Sequence, residues 1–321
     1  METLTWISVA LVALTAALLL PRWRRRRALA APLSAARVDL LERAIPVYAR
    51  LDDDLQRQLR QLVQQFLYDK KFVGCDGLTI DDDIRVTIAG QACLLLLNRF
   101  SRVFPALHTI LVYPGAFLVP RNVVDAAGVV TPGRQDLLGE SWGDGRVVLA
   151  WDHVRRGAAD WHDGQNVVLH EFAHQLDSES GSTNGAPYLG SRASYRSWSQ
   201  VLARDFAALR ADAMLRQHTV IDHYGATSPA EFFAVATETF YEKPWQMAER
   251  HPALFDEFAK YYRVDPRQWQ DRPVDGHGYS DGDNQNDNDN DGEGHGDGHG
   301  IGSAPDRAAD ADVMPIYGHW R

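Results

Sequence analysis

The stretch 167–177 reads VVLHEFAHQLD and places two histidines four residues apart among apolar side chains. On an α-helix, residues four apart lie on the same side, so His170 and His174 could together bind one tetrahedral metal ion. Glu171 is offset by one residue and could act as a general base on a water molecule without being a ligand. Asp177 lies one turn further along, where it could accept the second N–H of a ligating imidazole. The pattern predicts a metal-binding helix over 165–178, with a hydrogen-bonded pair of buried histidines as the alternative.

A catalytic zinc site needs a third protein ligand, and its fourth position stays open for water. The motif H-E-x-x-H-x-x-G-x-x-H would supply that ligand within eleven residues. Here Asp177 and Ser180 stand where the glycine and the third histidine belong. The third ligand is therefore expected further along the chain, and the stretch 222–241, DHYGATSPAEFFAVATETFY, offers carboxylates on a predicted helix.

Within that stretch, Ser228 and Pro229 have the residue types of an N-cap and of a first helical position. Glu231 and Glu238 are seven residues apart, which is two turns, and so lie on one face of the helix. Glu231 could be the third ligand, but S-P-A-E is also a capping box, in which this glutamate bonds the start of its own helix. Glu238 and Asp222 remain further candidates for the ligand.

The rest of the body predicts an α+β fold that is mainly helical with a small sheet. Two short β-branched stretches bounded by glycine or proline, 109–120 and 145–151, are predicted strands. They precede a block of helices, which is typical of α+β domains. We predict helices after the capping aspartates 52–54 and over 83–100, 165–178, 191–216, 229–242 and 245–262. This folded body spans 36–270.

The N-terminus carries an uncharged run of 18 residues, 3–20, which would span about 27 Å as a helix. That length is just enough for a membrane, and five arginines follow within a basic linker, 21–35. By the positive-inside rule, the arginines would keep the catalytic domain in the cytoplasm. The run therefore predicts one transmembrane helix and a single-pass inner-membrane location, with a surface-lying anchor or a cleaved leader as alternatives.

The net charge of −10 is concentrated near the C-terminus, because residues 271–312 hold twelve acids and two arginines. The rest of the chain is neutral, so its charge gives no reason to expect direct binding of nucleic acid. The segment 271–321 is rich in Asp, Gly and His and poor in apolar residues. It cannot offset the entropy cost of ordering and is predicted to be a disordered acidic tail.

Several motifs together resemble the Mlc titration factor A family. They are VVLHEFAHQLD, the dipeptide YP, VVLAW, the stretch 222–241, and FDEFAKYYRVDP at 255–266. Members of that family are zinc-dependent peptidases whose zincin-type catalytic core is similar to that of the anthrax lethal factor. The likeness covers approximately residues 40–268. It implies one zinc ion per chain, held by His170, His174 and Glu231, with Glu171 as the catalytic base and Tyr224 placed to stabilise the oxyanion.

The resemblance also implies a function. Family members act on peptides, with aminopeptidase-type activity on small substrates, and one of them binds the glucose repressor Mlc. We therefore expect a zinc metallopeptidase that acts on a peptide or protein substrate, with a transcriptional repressor as a further partner. The strand within 145–154 is expected to border the cleft and to pair with an extended peptide. A regulatory binding protein with a vestigial zinc site and a zinc hydrolase of non-peptide amides remain alternatives.

Overall fold

The computed structural model describes residues 2–99, 102–124, 130–137, 139–142 and 145–273. Residues 2–272 of this set belong to one compact unit. The predicted acidic tail lies, from residue 274 onward, outside the described residues. The division of the chain into domains therefore stays a prediction.

A four-stranded sheet lies at the centre of the fold, in the order β1–β2–β6–β5. The first three strands in this order are parallel, and β5 runs antiparallel to β6. A separate antiparallel hairpin, β3–β4, connects β2 to β5 along the chain. The six strands within the described residues are β1 (Lys71–Gly74), β2 (Thr109–Tyr113), β3 (Phe117–Val124), β4 (Val130–Leu137), β5 (Gly139–Trp142) and β6 (Arg146–Ala150).

The predicted α+β class is confirmed, because the described residues are mainly helical and include this small sheet. The α-helices of the described residues are α1 (Glu2–Ala30), α2 (Ala35–Ala44), α3 (Asp53–Asp69), α4 (Asp82–Leu94), α5 (Trp151–Ala159), α6 (Val167–Ser178), α7 (Arg192–Met214), α8 (Pro229–Glu242), α9 (Pro244–Arg250) and α10 (Pro252–Tyr262).

The predicted membrane span is wrong. Helix α1 does not end with the uncharged run; it continues through Pro21 and five arginines to Ala30. Its charged end contacts the body, since Arg25 forms an ion pair with Asp69 of α3 at 2.8 Å and Gln64 donates to the carbonyl of Ala28 at 3.1 Å. Over the residues that the structure describes, no helix combines the length and the apolar character needed to cross a bilayer. The single-pass inner-membrane location is therefore wrong as well.

Two predicted elements are divided by proline. The predicted strand 109–120 ends at Tyr113, because Pro114 and Gly115 separate β2 from β3. The predicted helix 245–262 is interrupted before Pro252, which cannot donate a backbone hydrogen bond and starts α10 instead. In contrast, α8 has the bounds predicted from its capping residues.

Helices α6 and α8 pack directly against each other and are fixed from opposite sides by aromatic clusters. Phe172 of α6 contacts Phe66 and Phe104, with ring centroids 5.7 and 4.8 Å away. Phe233 of α8 contacts Trp198 of α7 at 5.8 Å. Burying one such ring stabilises a fold by roughly 1.5–3 kcal/mol, so both helices are held rigidly where they meet.

Candidate metal centre

Helix α6 begins at a fully buried N-cap, Asn166. The side-chain oxygen of Asn166 accepts hydrogen bonds from the backbone N–H groups of Val168 and Leu169, both at 3.1 Å. These bonds satisfy donors that the first turn of a helix leaves without partners. One turn later, the apolar residues of α6 fill the core and leave His170 and His174 facing α8.

Three candidate ligands meet at the contact between α6 and α8. Nε2 of His170 lies 3.0 Å from Oε2 of Glu231, and Nε2 of His174 lies 3.4 Å from the same oxygen. The two imidazole rings are 4.9 Å apart and nearly perpendicular. Within the described ranges, these three side chains form the one group of three or more His, Cys, Asp or Glu residues whose ligand atoms all lie within 4.8 Å of one another.

The donor set and its spacing fit a small tetrahedral cation. Two imidazole nitrogens and one carboxylate oxygen are ligands that zinc accepts at about 2.0–2.2 Å. A tetrahedron with such bonds has edges of about 3.3–3.6 Å, close to the two nitrogen–oxygen distances of 3.0 and 3.4 Å. The histidines are buried, whereas the Glu231 side chain remains 23% exposed, which leaves the cluster open toward solvent on one side.

Electrostatics also favour a positive charge at this place. Burial alone would raise the pKa of the Glu231 carboxyl, but the hydrogen bonds from His170 and His174 outweigh burial and hold this pKa well below its usual range. Burial alone would lower the pKa of His170, but the carboxylates of Glu238 and Glu231 raise it well above its usual value. Carboxylates on both sides of one imidazole create a negative potential that suits a proton or a metal ion.

Glu238 contacts the other nitrogen of the same imidazole. Its Oε1 lies 2.8 Å from Nδ1 of His170, and its Oε2 accepts the backbone N–H of Asn166 at 2.5 Å. A carboxylate on Nδ1 fixes the tautomer and leaves Nε2 free to bind a metal. Glu231 and Glu238 thus approach opposite edges of His170 from successive parts of one helix.

The remaining predicted residues are divided between the cluster and its surroundings. Glu171 is 4% exposed and lies on α6 between the two histidines. The ring of Tyr224 lies 5.9 Å from the ring of His170. Asp222 is not brought into the cluster; it caps a 3₁₀ turn by accepting the backbone N–H of Tyr224 at 2.8 Å. Ser228 caps α8 by accepting the N–H of Glu231 at 3.2 Å, while the Glu231 carboxylate contacts the imidazoles.

The role predicted for Asp177 is wrong. Its Oδ2 accepts the backbone N–H of Gly185 at 2.7 Å, so this carboxylate holds the loop after α6. In the described part of the chain, Nδ1 of His174 has no hydrogen-bond partner. The carboxylate that bonds a histidine Nδ1 comes from α8 instead, because the side chain of Glu238 crosses the helix contact.

Sequence reasoning missed two residues of this network. Asn166 connects α6 to α8, and Glu242 accepts its amide N–H at 3.0 Å. Asn166 could have been recognised as the residue before the apolar run of α6, which is the N-cap position. Glu242 lies one turn beyond Glu238 on the same side of α8, so its spacing is visible in the sequence, whereas its contact with Asn166 is not.

Comparison of the sequence with known proteins identifies the family of this chain. Residues 20–263 match the family described as glucose-regulated metallo-peptidase M90. The chain belongs to this family. An uncharacterized protein of Synechocystis sp. is 40% identical over 246 residues, which cover 76% of this chain and 89% of the relative. A protein of Klebsiella pneumoniae named Mlc titration factor A is 36% identical over 230 residues, covering 70% and 85% respectively.

A second relative named Mlc titration factor A, from Pectobacterium atrosepticum, is 34% identical over 236 residues, covering 71% of this chain and 87% of that protein. The predicted resemblance to the Mlc titration factor A family is therefore confirmed. Membership of the M90 family makes this a metallopeptidase-like protein, and among the described residues His170, His174 and Glu231 form a group that could hold a metal ion.

Proposed function

We propose that this protein is a zinc-dependent peptidase whose metal is held by His170, His174 and Glu231. The observation that carries the proposal is the meeting of these three donors where α6 packs on α8, with Glu171 next to His170 in the sequence of α6. When bound, zinc supplies Lewis-acid chemistry to the water and to the scissile carbonyl. The other roles fall to side chains of the protein.

Glu171 is the general base in this proposal. It follows His170 directly on α6 and is 4% exposed, and in this proposal its carboxylate acts on water beside the cluster without being a ligand. Glu171 takes a proton from water as the water oxygen attacks the carbonyl carbon. It then passes that proton to the leaving amine as the C–N bond breaks, which regenerates the Glu171 carboxylate.

Tyr224 is the proposed donor to the developing oxyanion. The ring of Tyr224 lies beside that of His170. Asp222 accepts the backbone N–H of Tyr224 and so fixes the turn on which this tyrosine lies. A phenol O–H directed at the carbonyl oxygen strengthens its hydrogen bond as negative charge develops there. This role predicts that Tyr224→Phe lowers kcat more than it changes KM.

The expected docking of a peptide on β6 is wrong, because β2 and β5 occupy both sides of that strand. The outer edge of the sheet on this side is β5, which has β6 as its single strand partner among the described residues. Helix α6 contacts β5 directly. An extended peptide that adds to the free edge of β5 would therefore run past the helix that carries Glu171.

The test compares metal content and turnover in one preparation. We expect Glu171→Gln to retain one zinc per chain and to lose turnover by about 10²–10⁴-fold, because only the base is removed. Glu179→Gln is the matched control, since it makes the same chemical change at the other end of α6. Chelation should abolish wild-type activity, and added zinc should restore it. Near-normal turnover by Glu171→Gln would remove the proposed mechanism.

The substrate class forms the finer part of the proposal. By resemblance to the family, we infer aminopeptidase-type action on short peptides. A panel of peptides with free and acetylated amino termini separates this from endopeptidase action, and simple non-peptide amides test the alternative hydrolase. A metal-bound protein that cleaves no member of the panel would point to a regulatory protein with a vestigial site.

Binding of a transcriptional repressor is a second candidate function, favoured by the name Mlc titration factor A that several relatives share. If binding is independent of catalysis, Glu171→Gln should bind a Mlc-type repressor as tightly as the wild type does. Size-exclusion chromatography of the two purified proteins measures this, and separate elution at micromolar concentrations would exclude the partnership.

A further inference from the structure

Asn166 makes more contacts than a helix cap requires. Besides capping α6, its side-chain N–H₂ group donates to the carbonyl of Gly157 at 3.2 Å and to Oε1 of Glu242 at 3.0 Å. Its backbone N–H donates to Glu238, and its carbonyl accepts the N–H of His170 at 2.9 Å. One fully buried residue therefore joins the start of α6 to α5 and to α8.

Glu242 completes this connection. It is 1% exposed, and its second oxygen accepts the backbone N–H of Gln165 at 3.0 Å. Glu238 and Glu242 are one turn apart on α8, so the 165–166 backbone lies between two carboxylates of the same helix.

We propose that Asn166 and Glu242 are positioning residues of the metal centre, which act on His170 through Glu238. The proposal rests on the proposed metal-binding function. Glu238 has one oxygen on Nδ1 of His170 and the other on the N–H of Asn166, so the position of Asn166 sets the orientation of that carboxylate. Glu242 in turn holds the Asn166 amide. Ligand geometry must be kept within about 0.5 Å for a site to work well, and this chain of bonds supplies that restraint.

The competing explanation is that Asn166 merely caps α6. Aspartate and asparagine cap helices about equally well, because either side-chain oxygen accepts the N–H groups of the first turn. Only asparagine also provides the two amide N–H donors that reach Gly157 and Glu242. Asn166→Asp therefore keeps the cap and removes the connection, and it separates the two explanations.

Glu242 offers a second and gentler comparison. Burial raises the pKa of the Glu242 carboxyl well above its usual value, and the neighbouring Asp163 adds to this rise. Glutamine keeps one carbonyl oxygen for the Asn166 amide, but its N–H₂ group replaces the oxygen that accepts the N–H of Gln165. Glu242→Gln should therefore keep the bond to Asn166 and lose the bond to Gln165, whereas Glu242→Ala should lose both.

The experiment measures zinc affinity by competition with a chromogenic chelator, together with the visible spectrum of the cobalt-substituted protein. We expect Asn166→Asp and Glu242→Ala to weaken zinc binding by about tenfold or more and to shift the cobalt spectrum, since His170 would lose its fixed orientation. Glu242→Gln should weaken zinc binding less than Glu242→Ala does, because it keeps the bond to the Asn166 amide. All variants are compared as folded proteins by circular dichroism.

Thr237→Val is the matched control for a general loss of stability. Thr237 is fully buried on α8 and bonds the hydroxyl of Tyr262 on α10 at 2.8 Å. This variant should lower the thermal midpoint and leave zinc affinity and the cobalt spectrum unchanged.

The outcomes separate the two proposals. Wild-type affinity and an unchanged cobalt spectrum in both Asn166→Asp and Glu242→Ala would overturn the positioning role while leaving the peptidase proposal intact. If the wild type binds zinc but hydrolyses no peptide, the peptidase proposal fails, and the affinities of these variants still decide the positioning role. Equal weakening by Thr237→Val would also overturn the positioning role, and a wild type that binds no zinc would overturn both proposals.

Discussion

Removal of either carboxylate on His170 should weaken the protein, but the two variants should rank differently in zinc affinity and in stability, and this difference tests their proposed roles. Glu231 contacts Nε2 of both histidines, at 3.0 and 3.4 Å, whereas Glu238 contacts Nδ1 of His170 at 2.8 Å. Glu231→Ala deletes one of the three proposed ligand groups. Glu238→Ala leaves the proposed ligand set complete and deletes a hydrogen bond to one of its members.

The size of the Glu238 effect follows from the bond that is lost. A hydrogen bond to a charged group contributes about 1.5–3 kcal/mol, which corresponds to about 10- to 150-fold in affinity. Measured losses for partners of metal-binding histidines are about 10–100-fold. Loss of the Glu231 ligand should exceed that range, so Glu231→Ala should show the weaker zinc affinity of the two variants.

Stability of the metal-free protein should rank the same variants in reverse. Glu238 is 2% exposed and accepts the buried N–H of Asn166, so Glu238→Ala strands that donor at a cost of about 1–3 kcal/mol. The Glu231 side chain is 23% exposed, and water can replace part of its contacts. The unfolding free energy in urea should therefore fall further for Glu238→Ala.

Zinc affinity by chelator competition and urea unfolding without metal, both at pH 7, provide the two rankings. If Glu238→Ala lost more zinc affinity than Glu231→Ala, the third ligand would move to Glu238, and Glu231 would return to being a helix cap. If both rankings ran in the same direction, the division into ligand and supporting residue would be wrong.

Three further predictions concern the rest of the fold. Zinc at about 100 times its dissociation constant should stabilise the wild type by about 2.7 kcal/mol, which corresponds to a rise of about 5–11 °C in the thermal midpoint. The same zinc concentration should raise the thermal midpoint of Glu231→Ala much less. Gly185→Ala should destabilise the protein and weaken zinc binding. Gly185 has φ +77°, and an added Cβ would lie 2.3 Å from the carbonyl oxygen of Pro229 at the start of α8. An unchanged thermal midpoint in calorimetry and an unchanged zinc affinity would contradict this. Burial alone would raise the pKa of Asp205, but hydrogen bonds from His251 and a neighbouring arginine lower this pKa below its usual value. The stability that the Asp205 carboxylate adds should therefore be complete above about pH 4 and decline as the pH falls further. Urea unfolding of Asp205→Asn against the wild type at pH 7 and pH 3 measures this, and a constant difference would refute it.

Local signals were sufficient for the helices at the site. The cap and proline of SPAE predicted the first residue of α8, and the spacing of its apolar residues predicted the last. The motif HEFAH predicted that His170 and His174 share a side of α6. Such features depend on contacts within a few residues, and those contacts are visible in a sequence.

Contacts between elements were less accessible. Asp177 was a reasonable partner for a histidine because it lies on the same side of the same helix, yet Glu238 bonds His170 across 68 positions of the chain. Which of two carboxylates reaches an imidazole depends on the distance between two helices, and periodicity within one helix contains no such distance. The order of strands in the sheet was hidden for the same reason, so β6 was mistaken for an edge.

The segment of chain between α6 and α8 has a consequence for how relatives can be recognised. Residues 215–218, at the end of α7, are exposed and join α7 to the turn before α8. An insertion or deletion at this surface turn would change the number of residues between the HExxH helix and Glu231 without moving either helix, because loops of this kind tolerate changes in length. A fixed interval between the motif and the glutamate proposed as the third ligand is therefore a poor search criterion for relatives of this chain. A pair of helices, one with HExxH and one with glutamates spaced seven and four residues apart, is the pattern that can persist while the interval drifts.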